Sequence, residues 1–134
     1  MREIKFRAWD DYEEIMYYSD KKHPSKIWFS LDNGKVECLK NYIYSDYDGD
    51  EFDKWEPIEK VEQFTGLHDK NGVEIYEGDK CIVERPCVGA VGKIKFHQGC
   101  FIFEENHTEN ILRLCDLKFN NYTIEVIGNI HEKE

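Results

Sequence analysis

The sequence predicts a mainly β fold of the α+β class, and three observations lead to that prediction. Short apolar runs recur along the chain, several of them alternating with polar residues at the period of two expected of half-buried strands. Asn-Gly pairs at 33–34 and 71–72 favour tight hairpins in which both central residues take positive φ. A turn at Gly78-Asp79 precedes the β-prone run 81–83, which is typical of a small SH3-like barrel.

Residues 1–58 are predicted to be a β-rich N-terminal lobe. Apolar and basic residues alternate over 4–8, which indicates a half-buried strand. Large apolar side chains are expected to dock that strand firmly, namely Ile4, Phe6 and Trp9. Further strands are predicted at 15–18, 27–31 and 36–39, and the apolar run 42–44 leads into an acidic stretch. The acidic stretch 45–56 is expected to be irregular, because Pro57 cannot donate a backbone hydrogen bond.

Residues 59–134 are predicted to form the SH3-like barrel; the alternative is one domain in which both parts are intertwined. Strands are expected at 60–65, 73–76, 80–85, 91–97, 100–104 and 122–130. The apolar spacing over 110–118 indicates one or two helical turns. Five residues are expected to form turns, namely Asp69, Asn71, Gly72, Gly78 and Asp79. The Asp69 carboxylate is expected to accept hydrogen bonds from nearby backbone amides.

Charge and cysteine content narrow the classes of function. The 134 residues include 28 acidic and 18 basic ones, so the formal charge is −10 and the chain should repel nucleic-acid phosphates. The N-terminus lacks the apolar core of a signal peptide and no run is long enough to span a membrane, which predicts a cytoplasmic protein with reduced thiols. Of the five cysteines, Cys81 and Cys87 are the nearest pair, and neither a metal site nor a cofactor is expected.

The segment Asp46, Asp48, Asp50 resembles a calcium-binding loop, since alternating aspartates supply oxygen ligands. Counted from Asp46, however, the sixth position is Glu51 where an EF-hand needs glycine, and the twelfth is Pro57 where it needs glutamate. A solvated acidic loop is therefore the better interpretation, and cation binding by the three aspartates is left open.

His97 and Cys100 are the one arrangement that suggests a base and a nucleophile. No third group is placed to orient them, and the sequence shows neither a nucleophile elbow nor a glycine-rich nucleotide loop. A turn between two strands is the alternative interpretation, with His97 exposed and Cys100 inward. A non-enzymatic protein is therefore predicted.

Ile27, Trp28 and Phe29 form the candidate partner surface. Successive strand residues point to opposite faces, so Trp28 and Phe29 cannot share one core. The run contains no charge that would discourage strand pairing. We expect a symmetric homo-oligomer with this segment at or near the interface. The alternative is an intramolecular loop that covers the segment.

Four blocks of sequence together resemble the YopX family of phage and prophage proteins. They occur at residues 4–10 with 16–17, 63–72, 74–79 and 125–130. The resemblance implies an SH3-like barrel in the C-terminal part, a bacterial host cytoplasm and a homo-oligomer, and it supplies no activity and no catalytic residue. We expect an accessory protein that binds or assembles proteins. The alternative functions are a nucleic-acid-binding regulator and an acidic mimic of DNA.

Overall fold

The computed structural model describes residues 4–22, 27–32, 35–86, 88–117 and 120–132. These residues contain twelve β-strands and one short 3₁₀ turn, so the prediction of a mainly β fold is confirmed. No helix in the described part of the chain is long and apolar enough to cross a membrane. The SH3-like topology of the C-terminal part stays a prediction.

Contacts divide the chain into two compact units. The N-terminal unit is Lys5–Glu62, and the C-terminal unit is Gln63–Glu134 together with Met1–Ile4. The strands that begin in the N-terminal unit are β1 Phe6–Asp10, β2 Ile15–Tyr18, β3 Ile27–Asp32, β4 Lys35–Ser45, β5 Glu51–Ile58 and β6 Lys60–His68. Strands β3, β4 and β5 form an antiparallel sheet in that order, and β1 pairs with β2.

The acidic stretch forms regular structure, contrary to the prediction. β5 includes Pro57 and pairs with β4 from Cys38–Ile58 to Ser45–Glu51. Pro57 is tolerated because β5 lies at the edge of its sheet, where a missing N–H need not break a ladder bond. The aspartates at 46, 48 and 50 form the reversal between the two strands.

The core of the N-terminal unit differs from the one expected for β1. Its buried members are Ala8, Tyr17, Cys38 and Ile58, with Ile27, Phe29 and Val61 packed against them. Ile4 is 69% exposed, so its predicted burial is wrong, and Phe6 and Trp9 are only partly buried. Arg7 and Asp10 are buried instead. They are accommodated because each meets a side chain of opposite charge, as described below.

The C-terminal unit contains the end of β6 and β7 Glu74–Tyr76, β8 Asp79–Arg85, β9 Val88–His97, β10 Cys100–Glu105, β11 Ile111–Arg113 and β12 Thr123–Asn129. Five of them form an antiparallel sheet in the order β11-β10-β9-β8-β12. Of the helical turns predicted over 110–118, one 3₁₀ turn at Leu114–Asp116 is present, and β11 takes the residues before it. The buried core is Ile75, Cys81, Val83, Ala90, Ile94, Phe103, Leu114, Leu117 and Ile124.

Candidate functional site

Asp69 organises the first turn of the C-terminal unit. Its carboxylate accepts the backbone N–H of Asn71 at 2.8 Å and those of Val73 and Val126 at 2.9 Å. Burial raises the pKa of Asp69, but the three N–H donors outweigh it and hold that pKa below its usual value. Because Val126 belongs to β12, the residue ties the turn to a strand far along the sequence.

The turn itself differs from the two-residue hairpin expected. His68 pairs with Glu74, which leaves a loop of five residues between the strands. The N–H of Gly72 donates to the carbonyl of Asp69 at 3.0 Å, and Gly72 alone of the Asn-Gly pair has positive φ, at 83°. A longer loop needs one left-handed residue after the turn, so Asn71 keeps an ordinary conformation.

Gly78 and Asp79 form the second turn. Gly78 has φ of 85°, its N–H donates to the carbonyl of Ile94 at 2.8 Å, and its carbonyl accepts the N–H of Ile130 at 2.8 Å. The buried Asp79 carboxylate accepts the N–H of Tyr76 at 2.8 Å. These hydrogen bonds connect both residues to neighbouring strands of the C-terminal unit, so their role is structural.

Replacing Asp69 by alanine is expected to lower the free energy of unfolding by about 2–3 kcal/mol, because three backbone N–H groups lose the buried carboxylate that accepts them. The matched control is Asp46→Ala: Asp46 accepts the N–H groups of Asp48 and Asp50 at 2.9 Å in an exposed turn, where water can replace it. We expect that control to lose less than about 1 kcal/mol.

Since the pKa of Asp69 is depressed, its contribution should be present above about pH 4 and lost as pH falls further. Urea unfolding across pH measures both effects, and equal losses in the two variants would contradict the argument.

The residues considered for metal binding are engaged otherwise or lie apart. Asp46 uses its carboxylate for the turn, and the described residues contain no group of three or more His, Cys, Asp or Glu placed to hold a metal ion. Cys38 is buried, and burial, with a smaller effect of Asp10, raises the pKa of its thiol to about 12. Cys81 is also buried, and Cys87 lies outside the described residues.

His97 and Cys100 face each other across the β9–β10 hairpin, whose turn is Gln98-Gly99. His97 is exposed and Cys100 is partly buried. The Cys100 Sγ donates to the backbone carbonyl of His97 at 3.5 Å rather than to its imidazole. His97 and Cys100 therefore have the positions of residues that close a hairpin, and the thiol is not hydrogen-bonded to the imidazole.

A cavity of about 460 Å³ lies in the C-terminal unit beside the 3₁₀ turn. Much of its wall comes from core side chains, namely Leu67, Ile75, Leu114, Leu117, Tyr122 and Ile124. Its charged neighbours are engaged: Asp69 by three backbone N–H groups, and Lys70 by Glu125 at 3.3 Å and Glu84 at 3.7 Å. These charges are therefore committed to the fold rather than to orienting a ligand.

A buried ionic cluster lies in the N-terminal unit. Lys40 is 2% exposed, and its Nζ lies 2.7 Å from Asp10 Oδ2, 2.7 Å from Glu13 Oε2 and 2.9 Å from the hydroxyl of Tyr17. Burial alone would lower the pKa of Lys40, but hydrogen bonds to Asp10, Glu13 and Tyr17 raise it. For Asp10 the effects have the opposite signs. Burial alone would raise its pKa, but hydrogen bonds from Lys40 and from two backbone amides bring that pKa below its usual value. Both groups are thus charged at neutral pH and form a structural pair.

The second buried pair has the same character. Arg7 Nε donates to Glu62 Oε1 at 2.9 Å, and both residues are buried. It joins β1 to the first residues of β6 within the N-terminal unit. No feature of the sequence distinguished these charged residues from exposed ones.

The predicted partner segment divides between two faces of the β3-β4-β5 sheet. Ile27 and Phe29 pack against the core, whereas Trp28 is 61% exposed. The pairing register places Trp28 opposite Leu39, and Leu39 opposite Pro57. Every second residue along these strands lies on the same face. Trp55, which pairs with Asn41, and Ile43, which pairs with Asp53, therefore belong to it as well.

We call this the outer face: Trp28, Leu39, Ile43, Trp55 and Pro57. Ile43 is 71% exposed and Trp55 is 44% exposed, so large apolar side chains meet water across all three strands. Scattered single apolar residues are normal on a surface, but neighbours on one sheet face are typical of interaction sites. Of this set, Trp28 alone belonged to the partner surface predicted from the sequence.

Beyond the core, β4 and β5 continue as an exposed hairpin, which we call the arm (residues 43–55). Every residue of the arm is exposed. On the face opposite Ile43 and Trp55, the rings of Tyr44 and Phe52 stack at 5.7 Å with an angle of 24°. Five acidic residues and one lysine give the arm a net charge of −4. The arm thus carries aromatic groups on both faces and a strong negative charge.

Comparison with known proteins gives a family and a fold. The sequence profile described as YopX protein matches residues 5–134. The crystal structure of protein EF1440 from Enterococcus faecalis is 25% identical, with a TM-score of 0.57 over 98% of this chain and 96% of that one. The X-ray crystal structure of protein YopX from Bacillus subtilis is 17% identical, with a TM-score of 0.61 over 96% of this chain and 94% of that one. No curated protein matches the chain.

Proposed function

The chain belongs to the YopX family, and from that premise we propose that it is a non-enzymatic module that binds proteins, a second copy of itself included. The observation that carries the proposal is the outer face, where apolar side chains of three strands are exposed together. Burying such a face on association removes apolar area from water, which drives protein association. A closed two-fold dimer is the simplest assembly that covers it.

Two considerations support the non-enzymatic part of the proposal. The thiols that could act as nucleophiles include Cys38, whose raised pKa disfavours the thiolate, and Cys100, which donates to a backbone carbonyl. The buried lysine is held as an ion pair with Asp10 rather than as a neutral amine. These groups serve the fold. A phage or prophage accessory role in the bacterial cytoplasm is part of the same proposal.

The second candidate is a nucleic-acid-binding regulator or, in its other form, an acidic mimic of DNA. Direct binding of DNA or RNA is opposed by the formal charge of −10, which repels phosphates. The acidic arm favours the other form of this candidate, in which the chain mimics a nucleic acid and binds a protein that would otherwise hold one. Mixing the chain with labelled DNA and RNA separates the two forms, since only the regulator should bind them directly, and more weakly as salt rises.

The self-association proposal predicts that Trp28→Asp converts a dimer into a monomer. A carboxylate at the centre of an apolar interface would have to be buried unpaired, whereas on the free surface it costs little. Size-exclusion chromatography with light scattering over a concentration series measures the mass. Tyr12→Asp is the matched control, because Tyr12 is 88% exposed in the turn between β1 and β2 and should leave the dimer intact. A monomeric wild-type mass at tens of micromolar would end the proposal, and a dimer that survives Trp28→Asp would place the interface elsewhere.

A further inference from the structure

The arm exposes apolar and aromatic side chains on both of its faces, and a flat interface could cover only one of them. Ile43 and Trp55 lie on one face of this two-stranded ribbon, and the stacked Tyr44 and Phe52 lie on the other. All four are exposed, so neither face of the arm rests on a core. A partner that lies against one face would leave the other in water. The occupant that buries both is a groove that encloses the ribbon.

The charge of the arm defines the chemistry of that groove. Five carboxylates and one ammonium require a basic partner, because charges of like sign cost free energy when they meet. A second copy of the chain is a poor occupant of this site, since its own arm carries a net charge of −4 as well. Nucleic acid is excluded by the same sign. The arm therefore fits a protein whose groove is positively charged and lined with apolar or aromatic side chains.

Grooves that bind single-stranded nucleic acid have this chemistry. They combine basic side chains along the backbone path with aromatic side chains on which successive bases stack. The arm presents the matching groups: exposed aromatic rings in place of bases and carboxylates in place of phosphates. Tyr47 at its tip adds a further fully exposed ring.

We propose that the arm occupies the single-strand-binding groove of a nucleic-acid-binding protein and competes with the nucleic acid for it. The inference rests on the proposed function, namely that the chain acts by binding proteins. It adds the class of partner and assigns it to the arm, while self-association is assigned to the outer-face residues outside the arm, namely Trp28, Leu39 and Pro57.

The arm's turn is built to hold this shape without a partner. Asp46 accepts the N–H groups of Asp48 and Asp50, and Gly49, with φ of 81°, donates to the Asp46 carbonyl at 3.2 Å. Strand pairing runs through Ser45–Glu51 to the start of the turn. An arm that is ordered before binding loses little conformational entropy in the groove.

A competition experiment with the full chain tests the inference. The probe is a bacterial single-stranded-DNA-binding protein of the OB-fold class, loaded with a short fluorescein-labelled oligothymidylate. The wild-type chain is expected to displace the oligonucleotide at micromolar concentration, which lowers the fluorescence anisotropy. Displacement should weaken between about 50 and about 200 mM salt, because the contact is electrostatic.

Variants identify the groups responsible. Tyr44→Ser with Phe52→Ser removes the stacked pair and should weaken displacement at least about tenfold, as expected from the contribution of base–aromatic stacking. Asp48→Asn with Asp53→Asn should weaken displacement and reduce its salt dependence. Tyr12→Ser removes an exposed ring outside the arm and should compete like the wild type. Circular dichroism confirms that each variant is folded.

The outcomes separate this inference from the proposed function. Trp28→Asp should lose self-association and still displace the oligonucleotide, which supports the assignment to the arm. Failure of the wild type to displace it at tens of micromolar overturns the inference and leaves the dimer result untouched. Equal displacement by the arm variants and the wild type overturns it as non-specific charge attraction. A rise in anisotropy with the oligonucleotide alone overturns it in favour of direct nucleic-acid binding.

Discussion

Gly92→Ala is expected to lower the free energy of unfolding by about 2–4 kcal/mol, within the range of overpacked cores. A Cβ at residue 92 would collide with the backbone carbonyl oxygen of Glu104 and lie 2.8 Å from the ring of Phe103. Phe103 is 1% exposed and belongs to the core, so its ring has little room to move. The backbone of β10 cannot withdraw without breaking its ladder with β9.

The control for this variant lies on the same strand. A Cβ at Gly89 has no atom within 4 Å, so Gly89→Ala should change stability by no more than about 0.5 kcal/mol. Thermal and urea unfolding followed by circular dichroism measure both variants. If Gly92→Ala unfolds at the same urea concentration as Gly89→Ala, the close approach of β9 and β10 is not what requires glycine.

Strand positions could be predicted because they depend on local chemistry. The strands predicted at 60–65 and 80–85 lie within β6 and β8, and in β8 the buried residues 79, 81 and 83 follow the period of two. The Asn33-Gly34 pair lies outside the described residues, but its flanking strands pair at Asp32–Lys35, as a two-residue loop requires. Counting back from that loop places Trp28 opposite Leu39, so part of the outer face was available from the sequence.

The arm was harder to predict because its acidic stretch indicated an irregular loop, while the apolar run that leads into it looks like part of a buried strand. Tyr42-Ile43-Tyr44 is apolar on both faces, a pattern usual in sheet interiors. Which faces are covered depends on what packs against them, and neither face of the arm has a core beneath it. Pro57 also suggested an end to regular structure, whereas its edge position allows the strand to continue.

The burial of charged residues is the feature of this fold that is hardest to predict from a single sequence. Asp10, Arg7 and Lys40 belong to residue types that are almost always exposed, and no feature of the sequence indicates their burial. Their burial depends on partners that become neighbours only in the fold: Lys40 and Asp10 are 30 residues apart, and Arg7 and Glu62 are 55 apart. β1 therefore buries Arg7 and Asp10 beside Ala8, and its apolar pattern indicates only the last of these.

Lys40→Met is expected to lower the free energy of unfolding by about 3–5 kcal/mol, the usual cost of removing one partner of a buried ion pair. The methionine keeps much of the side-chain volume, so the loss reports charge rather than a cavity. Asp10 would remain buried at 4% exposure without the ammonium that now lies 2.7 Å from its carboxylate. The cost therefore comes mainly from leaving a carboxylate in a site that excludes water.

Lys60→Met is the matched control for this change. Lys60 pairs with Asp11 at 2.8 Å, about the same distance, but the two side chains are 50% and 65% exposed. Exposed pairs contribute about 0–1 kcal/mol, so the control should remain close to the wild type. Adding Asp10→Asn to Lys40→Met should recover part of the loss, because it removes the unpaired charge. Urea unfolding of the single and double variants measures this coupling.

The pH dependence of the free energy of unfolding is a second test of the Lys40–Asp10 ion pair. Because the pKa of Asp10 is lowered in the folded state, its contribution is present above about pH 4 and is lost as pH falls further. Because the pKa of Lys40 is raised, its contribution is complete below about pH 10 and is lost only at higher pH. The stability difference between wild type and Lys40→Met should therefore be constant near neutral pH and shrink at both extremes. A difference that stays the same from pH 3 to pH 7 would mean that packing, rather than the ion pair, accounts for the loss.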